Sequence, residues 1–248
     1  MLWDGFREKH GFSYLHASEM ASPHRKGQYN LWSDDKVGKV LSRARQIIKT
    51  NSVAGISFAV DKQMFNSETP AQWRVAGGEN HYTWAFRTLL QHLIRWHGSR
   101  SLTEPFEFVF DNATGRDRDE IEMLMGQFDS VYPGKFEGHY SFRCKANVPC
   151  LQGADILAWS TYSLACETFF ETPPANRFAE ESMQDFRGRM SEEWLTVLSY
   201  DVDALRATVE DDRRDPEATQ VRAKWHQNWR KRLQARKSSR PKREKCPC

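Results

Sequence analysis

Nine residues constrain this chain most: Leu151-Gln152-Gly153-Ala154-Asp155-Ile156-Leu157-Ala158-Trp159. They read as the start of an apolar helix running from about 151 to 170, with one carboxylate, Asp155, set inside it. A carboxylate on a mostly apolar face needs a cation, a metal or hydrogen-bond donors. On a helix, Asp155 shares its face with Leu151, Trp159 and, one turn on, Tyr162. Two explanations stand side by side. An acid in the first turns of a helix complements the helix dipole, and an acid held in a cleft marks a functional site. Upstream, Asp111 closes the apolar run Phe106-Glu107-Phe108-Val109-Phe110. Ligands in α/β sheets gather beyond the carboxyl ends of strands. Asp-Asn is equally ordinary turn chemistry, in which the side chain bonds its own backbone. The two aspartates are expected to face each other.

The rest of the chain alternates strand and helix patterns. Residues 2–10 read as a helix with Trp3 and Phe6 on one side, and Gly11 to His16 as a strand, because Phe12 and Tyr14 alternate with smaller groups. Residues 17–31, with Pro23 and Gly27, read as a loop. Helix 34–49 follows Ser33 as N-cap and repeats Val37, Val40, Leu41, Ala44, Ile47 and Ile48 at helical spacing. Val53 to Val60 reads as a buried strand, the stretch with Pro70 and Gly77-Gly78 as a loop, and 81–97 as a helix. A strand at 106–110, a turn at Asp111-Asn112-Ala113-Thr114-Gly115, a helix at 117–128 and a strand at 136–142 lead back to the Asp155 helix. Pro173-Pro174 breaks the chain; helices at about 191–211 and 217–235 follow. Strands alternating with helices imply an α/β layered fold.

The apolar fraction of 39%, with 9 Trp and 15 Phe, supports a sizeable core and excludes a fully disordered chain. Charge is segregated. Residues 221–248 hold eleven of the 36 Lys and Arg and one of the 33 acids, so this arm carries +10 and the rest of the chain −7. Five widely spaced cysteines do not make a disulfide framework and fit a reducing compartment. The start has no apolar run of the signal-peptide kind, and no segment reaches the ~18 apolar residues needed to span a bilayer. A cytoplasmic protein is expected.

Other candidate groups accompany the two aspartates. His16 and Glu19 lie in His-Ala-Ser-Glu just past the first strand pattern, where a histidine can hold a metal, move protons or contact phosphate, or simply cap the strand end. Asp61, Asp117 and Asp119 are further acids; the last two, opening a helix, read as surface acids that complement its dipole. Lys62 reads as solvated, with phosphate contact as the alternative. Paired aspartates on separate elements suit Mg²⁺ or Mn²⁺, which take carboxylates together with phosphate oxygens and water. In the basic arm, Arg222, Lys224, Arg230, Lys231 and Arg232 surround Trp225 and Trp229. Basic and aromatic residues so mixed can bind RNA or DNA, although the tryptophans also suit docking on the body. Cys246-Pro247-Cys248 supports neither a metal site nor a lipid anchor.

Phe-Val-Phe-Asp ending at Asp111, then a helix, a strand and the Leu-Gln-Gly-Ala-Asp segment, resembles a bacterial family, the domain of unknown function 3800 (DUF 3800). Phe12-Ser13-Tyr14-Leu15-His16-Ala17-Ser18-Glu19, the helix after Trp32 and the helix opening at His81-Tyr82 fit in order, so the resemblance covers roughly residues 1–170. It implies a ribonuclease H-like mixed sheet flanked by helices, and places Asp111 and Asp155 at the family's acidic positions, with His16 and Glu19 beside them. It also implies an opening strand with an Asp-Glu-Ser-Gly-like motif, which is missing here. The expected organisation is therefore an N-terminally incomplete ribonuclease H-like domain over 1–172, a helical extension over 173–235 and a disordered basic tail over 236–248. By the resemblance, the function is a divalent-metal-dependent phosphodiesterase or nuclease, inactive if the missing acid is required. The alternative is a non-catalytic module that binds nucleic acid or protein through the basic arm.

Overall fold

A computed structural model of the chain describes residues 2–71, 73–74, 80–112, 115–135, 140–170, 178, 181, 195–199 and 202–214, together with 224, 227, 228, 231 and 235. The architecture is mixed α/β and mostly helical, with a small parallel two-strand sheet. The helices are α1 Leu2–His10, α2 Ala17–Ala21, α3 Asp34–Asn51, α4 Lys62–Glu68, α5 His81–Ser99, α6 Gly115–Val131, α7 Pro149–Phe170 and α8 Val202–Arg214. The strands are β1 Gly55–Ala59, β2 Phe108–Asp111, β3 Tyr140–Arg143 and β4 Leu195–Ser199, with single 3-10 turns at Gly27–Tyr29 and Lys145–Asn147. Among these strands β1 pairs with β4, and β2 with β3. The chain divides into two compact units, Met1–Ala59 with Arg143–Leu198, and Val60–Phe142 with Ser199–Pro247. No helix among the described residues is long and apolar enough to cross a membrane. Against the expectation of reduced cysteines, Cys144 is disulfide-bonded, whereas Cys150 and Cys166 are free thiols.

The first unit is built on α3. Ser33 Oγ accepts from Lys36 N at 3.3 Å, two aspartates sit in the first turn, and Val37, Val40, Leu41, Ala44 and Ile47 are buried along one stripe. Against that stripe pack Trp3, Phe6, Phe12, Leu15, Tyr29, Trp32 and, from α7, Ile156. Their rings meet edge to face, Phe6 with Phe12 at 5.2 Å and Tyr29 with Trp32 at 5.1 Å, a geometry that aligns ring edges with ring faces. Helix α7 starts with proline at its first position, where the missing N–H costs nothing. Its buried stripe is Gln152, Ile156 and Ser160, flanked by Thr161, whose hydroxyl accepts from Ser57 Oγ of β1 at 2.7 Å. Tyr162 is exposed, so the face that Asp155 was expected to share with it turns toward solvent one turn on.

Close approach of α3 and α7 depends on Gly153. A Cβ there would lie 3.3 Å from Ile48 Cγ1 and 3.6 Å from Ile48 Cδ1. Alanine asks Ile48 to shift slightly. Gly153→Val adds branched carbons to the same gap, and should cost about 1–3 kcal/mol by overpacking, read as a lowered denaturant midpoint at unchanged slope.

In the second unit, Leu90 of α5 meets Ile121, Met125 and Phe128 of α6. Phe86, Phe108, Phe110 and Phe142 pack on this core, with Phe86 and Phe110 at 5.4 Å and Phe110 and Phe142 at 5.4 Å. Asn80 caps α5 by accepting from Thr83 N at 2.8 Å, and its amide donates to Glu120 at 2.6 Å. The hydroxyl of Thr83 also donates to Glu120, so two neutral donors reach this buried carboxylate.

Several expectations change. Gly11 to His16 is not a strand. Residues 17–31 contain α2, and the loop after β1 contains α4, opened by Asp61, whose side chain accepts from Met64 N at 2.6 Å. Asp61 is thus a helix cap. Strand β1 is half-buried, with only Ser57 fully buried. Asp119 is buried and does not lie on the surface, while Asp117 is exposed. Leu195–Ser199 is a strand, where a helix is expected. Leu195, Leu198 and Val202 mimic helical spacing, but β-branched Thr196 and Val197 and the pairing with β1 decide the outcome. Helix 217–235 is described only at Lys224, Gln227, Asn228, Lys231 and Ala235, all helical and exposed. Pro173-Pro174, Trp225, Trp229, Arg222, Arg230, Arg232, Cys246, Cys248 and the tail over 236–248 lie outside the described residues.

Candidate functional site

The segment before α2 has backbone groups that need partners, and side chains supply them. Ser13 N–H donates to Gln28 Oε1 at 2.8 Å, and Ser13 C=O accepts from Arg7 Nη1 at 2.6 Å. Tyr14 C=O accepts from Gln28 Nε2 at 2.8 Å and from the Tyr29 hydroxyl at 2.5 Å. Leu15 N–H donates to Gln152 Oε1 at 2.7 Å, and His16 N–H to the Tyr29 hydroxyl at 3.0 Å. Ala17 N–H, the first donor of α2, goes to Asp155 Oδ2 at 2.9 Å. With these donors and acceptors met by side chains, the segment needs no neighbouring strand. Its apolar anchors are Phe12 and Leu15, which breaks the alternation of a strand.

This clamp carries His16 to Asp155. His16 Nδ1 lies 3.1 Å from Asp155 Oδ2, and Lys145 Nζ lies 3.0 Å from the same Nδ1 and 3.3 Å from Asp155 Oδ1. Glu19 Oε1 is 3.8 Å from His16 Nε2, an ion-pair distance beyond hydrogen-bond range. The cluster opens to solvent, with the His16 side chain 27% exposed and that of Asp155 22%. His16 Nδ1 cannot donate to Asp155 and accept from Lys145 at once. Two proton arrangements therefore compete. In one, Nδ1–H donates to Asp155 and Nε2 presents a lone pair on the Glu19 side. In the other, Lys145 donates to Nδ1 and the ring proton sits on Nε2.

Burial opposes ionisation of Asp155, but the bonds from His16 and Ala17 and the Lys145 ammonium outweigh it and hold its carboxyl below the usual range. A folded-state value below the unfolded one means that the stability is fully present above the ordinary carboxyl range. It is lost as pH falls through the depressed value. Chemical denaturation at successively lower pH should therefore show a gap between wild type and Asp155→Asn that is widest near neutrality and closes on the acid side.

Of the residues singled out in the sequence, the structure brings together His16, Glu19 and Asp155. Asp111 belongs to the second unit, where it is exposed at the end of β2 and its Oδ1 accepts from Asn112 N at 2.8 Å, the local bond of a turn aspartate. Lys224 and Lys231 are exposed on the arm. Two site residues escape sequence reasoning. Lys145 is one lysine in a short connection, and its only signal is the need of Asp155 for a cation. Gln152 is a polar residue inside an apolar helix, which demands partners if buried.

The donor set around Asp155 does not fit Mg²⁺ or Mn²⁺. These ions take several oxygen ligands, whereas Asp155 Oδ1 faces an ammonium and Oδ2 two N–H or ring-nitrogen partners. Among the described residues, no group of three or more His, Cys, Asp and Glu side chains could hold a metal ion. The chain matches no family model, no curated protein and no solved structure.

Proposed function

We propose that the chain is a nuclease-like protein of the ribonuclease H-like, DUF 3800 kind, acting on a phosphodiester of nucleic acid through His16, Asp155 and Lys145. The observation that carries this is the partly exposed His16 ring, whose Nδ1 lies against Asp155 with an ammonium beside both. The fold reading draws on helices α6 and α7 alternating with β2 and β3. Asp155 orients the ring, and Nε2 takes a proton from the attacking group. Lys145 offsets charge in the cluster. RNA suits this set better than DNA: its own 2′-hydroxyl attacks phosphorus and gives its proton to His16, the bond from phosphorus to the 5′-oxygen breaks, a 2′,3′-cyclic phosphate forms, and the leaving 5′-oxygen takes a proton from water.

Incubation with labelled single-stranded RNA, single-stranded DNA and duplexes, in Mg²⁺, in Mn²⁺ and in chelator, tests it. RNA cleavage that persists in chelator and is lost in Asp155→Asn and Lys145→Met is the expected result. No cleavage of any substrate under any condition contradicts it. Cleavage that needs metal and is lost in Asp111→Asn would instead bring Asp111 into the site.

A second reading, a non-catalytic nucleic-acid-binding arm, is favoured by one observation. Lys224, Gln227, Asn228, Lys231 and Ala235 are helical and exposed at spacings that share one face. On this reading RNA binding weakens steeply with salt and disappears when residues 221–248 are removed. Binding that survives both counts against it.

A further inference from the structure

Gln152 is the fully buried polar side chain behind the cluster, 0% exposed. Its carbonyl oxygen accepts from Leu15 N at 2.7 Å and from Trp3 Nε1 at 3.2 Å. Its amide nitrogen donates to the Lys145 carbonyl at 2.9 Å. The partners fix the amide orientation, because a flip would set NH₂ against two N–H donors. Two of these partners belong to the cluster's own segments. Leu15 immediately precedes His16, and Lys145 is held through its own backbone. Gln152 also lies three residues before Asp155 on α7, so one helical turn carries both the carboxylate and the amide.

We propose that Gln152 is a positioning residue: it sets the two segments that bring His16 and Lys145 onto Asp155. The proposal rests on the reading of the cluster as the site of proton transfer, and deepens it. A buried amide that only filled space would be indifferent to which segments it tied. Here losing the single bond to Lys145 frees one arm of the cluster while the other two bonds hold α1 and the His16 segment.

The test uses the full chain with ¹⁵N-labelled histidine. Gln152→Glu, read at a pH at which the new carboxyl is ionised, keeps an acceptor for Leu15 and Trp3 but puts an oxygen against the Lys145 carbonyl in place of the donor. The expected result is a native fold, a shifted His16 Nδ1 resonance and cleavage slowed at least about tenfold in kcat with KM little changed. Trp3→Phe removes a bond outside the cluster, and should lower stability while leaving the His16 resonance in place. A folded Gln152→Glu with an unchanged His16 resonance overturns the proposal. If that variant does not fold, the wild type still decides: the Gln152 side-chain amide protons should exchange as slowly as core amides, and fast exchange overturns it. Absence of cleavage in the wild type with a shifted resonance in Gln152→Glu sinks the phosphodiester reading alone and supports the positioning role.

Discussion

Asp155→Ala should cost about 3 kcal/mol of stability, as expected when one partner of a partly buried ion pair is removed. Three contacts disappear together. Ala17 N–H loses its acceptor, His16 Nδ1 loses its neighbour at 3.1 Å, and the Lys145 ammonium is left with His16 Nδ1 and no carboxylate. The Lys145 side chain is only 17% exposed, so water replaces the lost carboxylate poorly. Asp155→Asn keeps an oxygen for Ala17 N–H but turns its NH₂ to the Lys145 ammonium, and should cost less than alanine because the Ala17 donor stays satisfied. Denaturant unfolding of the two variants checks both the size and the order. A loss in Asp155→Ala within error of zero would mean that the clamp is not stabilising.

Tyr29→Phe should cost about 1–3 kcal/mol, because it strands the His16 N–H and removes one of the two donors to Tyr14 C=O. The Tyr29 hydroxyl takes the His16 N–H at 3.0 Å and gives its proton to Tyr14 C=O at 2.5 Å. The ring is fully buried between α3 and the turn that carries it, and burial pushes the phenol well above its ordinary range. It therefore stays neutral and keeps its proton for Tyr14. The phenylalanine variant conserves the packing against Trp32 and isolates the hydroxyl's share. Its effect should also reach His16: faster amide exchange at His16 than in wild type is expected, with exchange in α5 and α6 unchanged.

The long amphipathic helices were legible because their burial follows a period that the residues themselves display. α3 shows this best: its cap Ser33 and its stripe from Val37 to Ile47 read directly. Short elements were not. The Phe12 and Tyr14 alternation imitates a strand, yet the segment is held by Arg7, Gln28, Tyr29, Gln152 and Asp155, and no local pattern announces partners up to 138 residues away. β4 failed in the opposite sense, since its leucines repeat at helical steps while the pairing with β1 is non-local. The site was half legible. Asp155 stood out as a carboxylate inside an apolar helix, and His16 and Glu19 as a polar pair beside a core segment. Lys145 and Gln152 become visible only once the 3-10 turn at Lys145–Asn147 is folded against α7. An isolated lysine in a connection looks like any solvated one, so the sequence displays the aspartate and not its cation.

Single-turnover cleavage of an end-labelled oligoribonucleotide by wild type and His16→Gln tests the central claim most directly. Glutamine can still bond Asp155 or Lys145 but cannot accept and release a proton near neutrality. The account predicts that wild type cleaves in chelator and that His16→Gln, equally folded by circular dichroism, is slower by at least about a hundredfold, in line with the loss of a general base. Equal rates for the two proteins would contradict it.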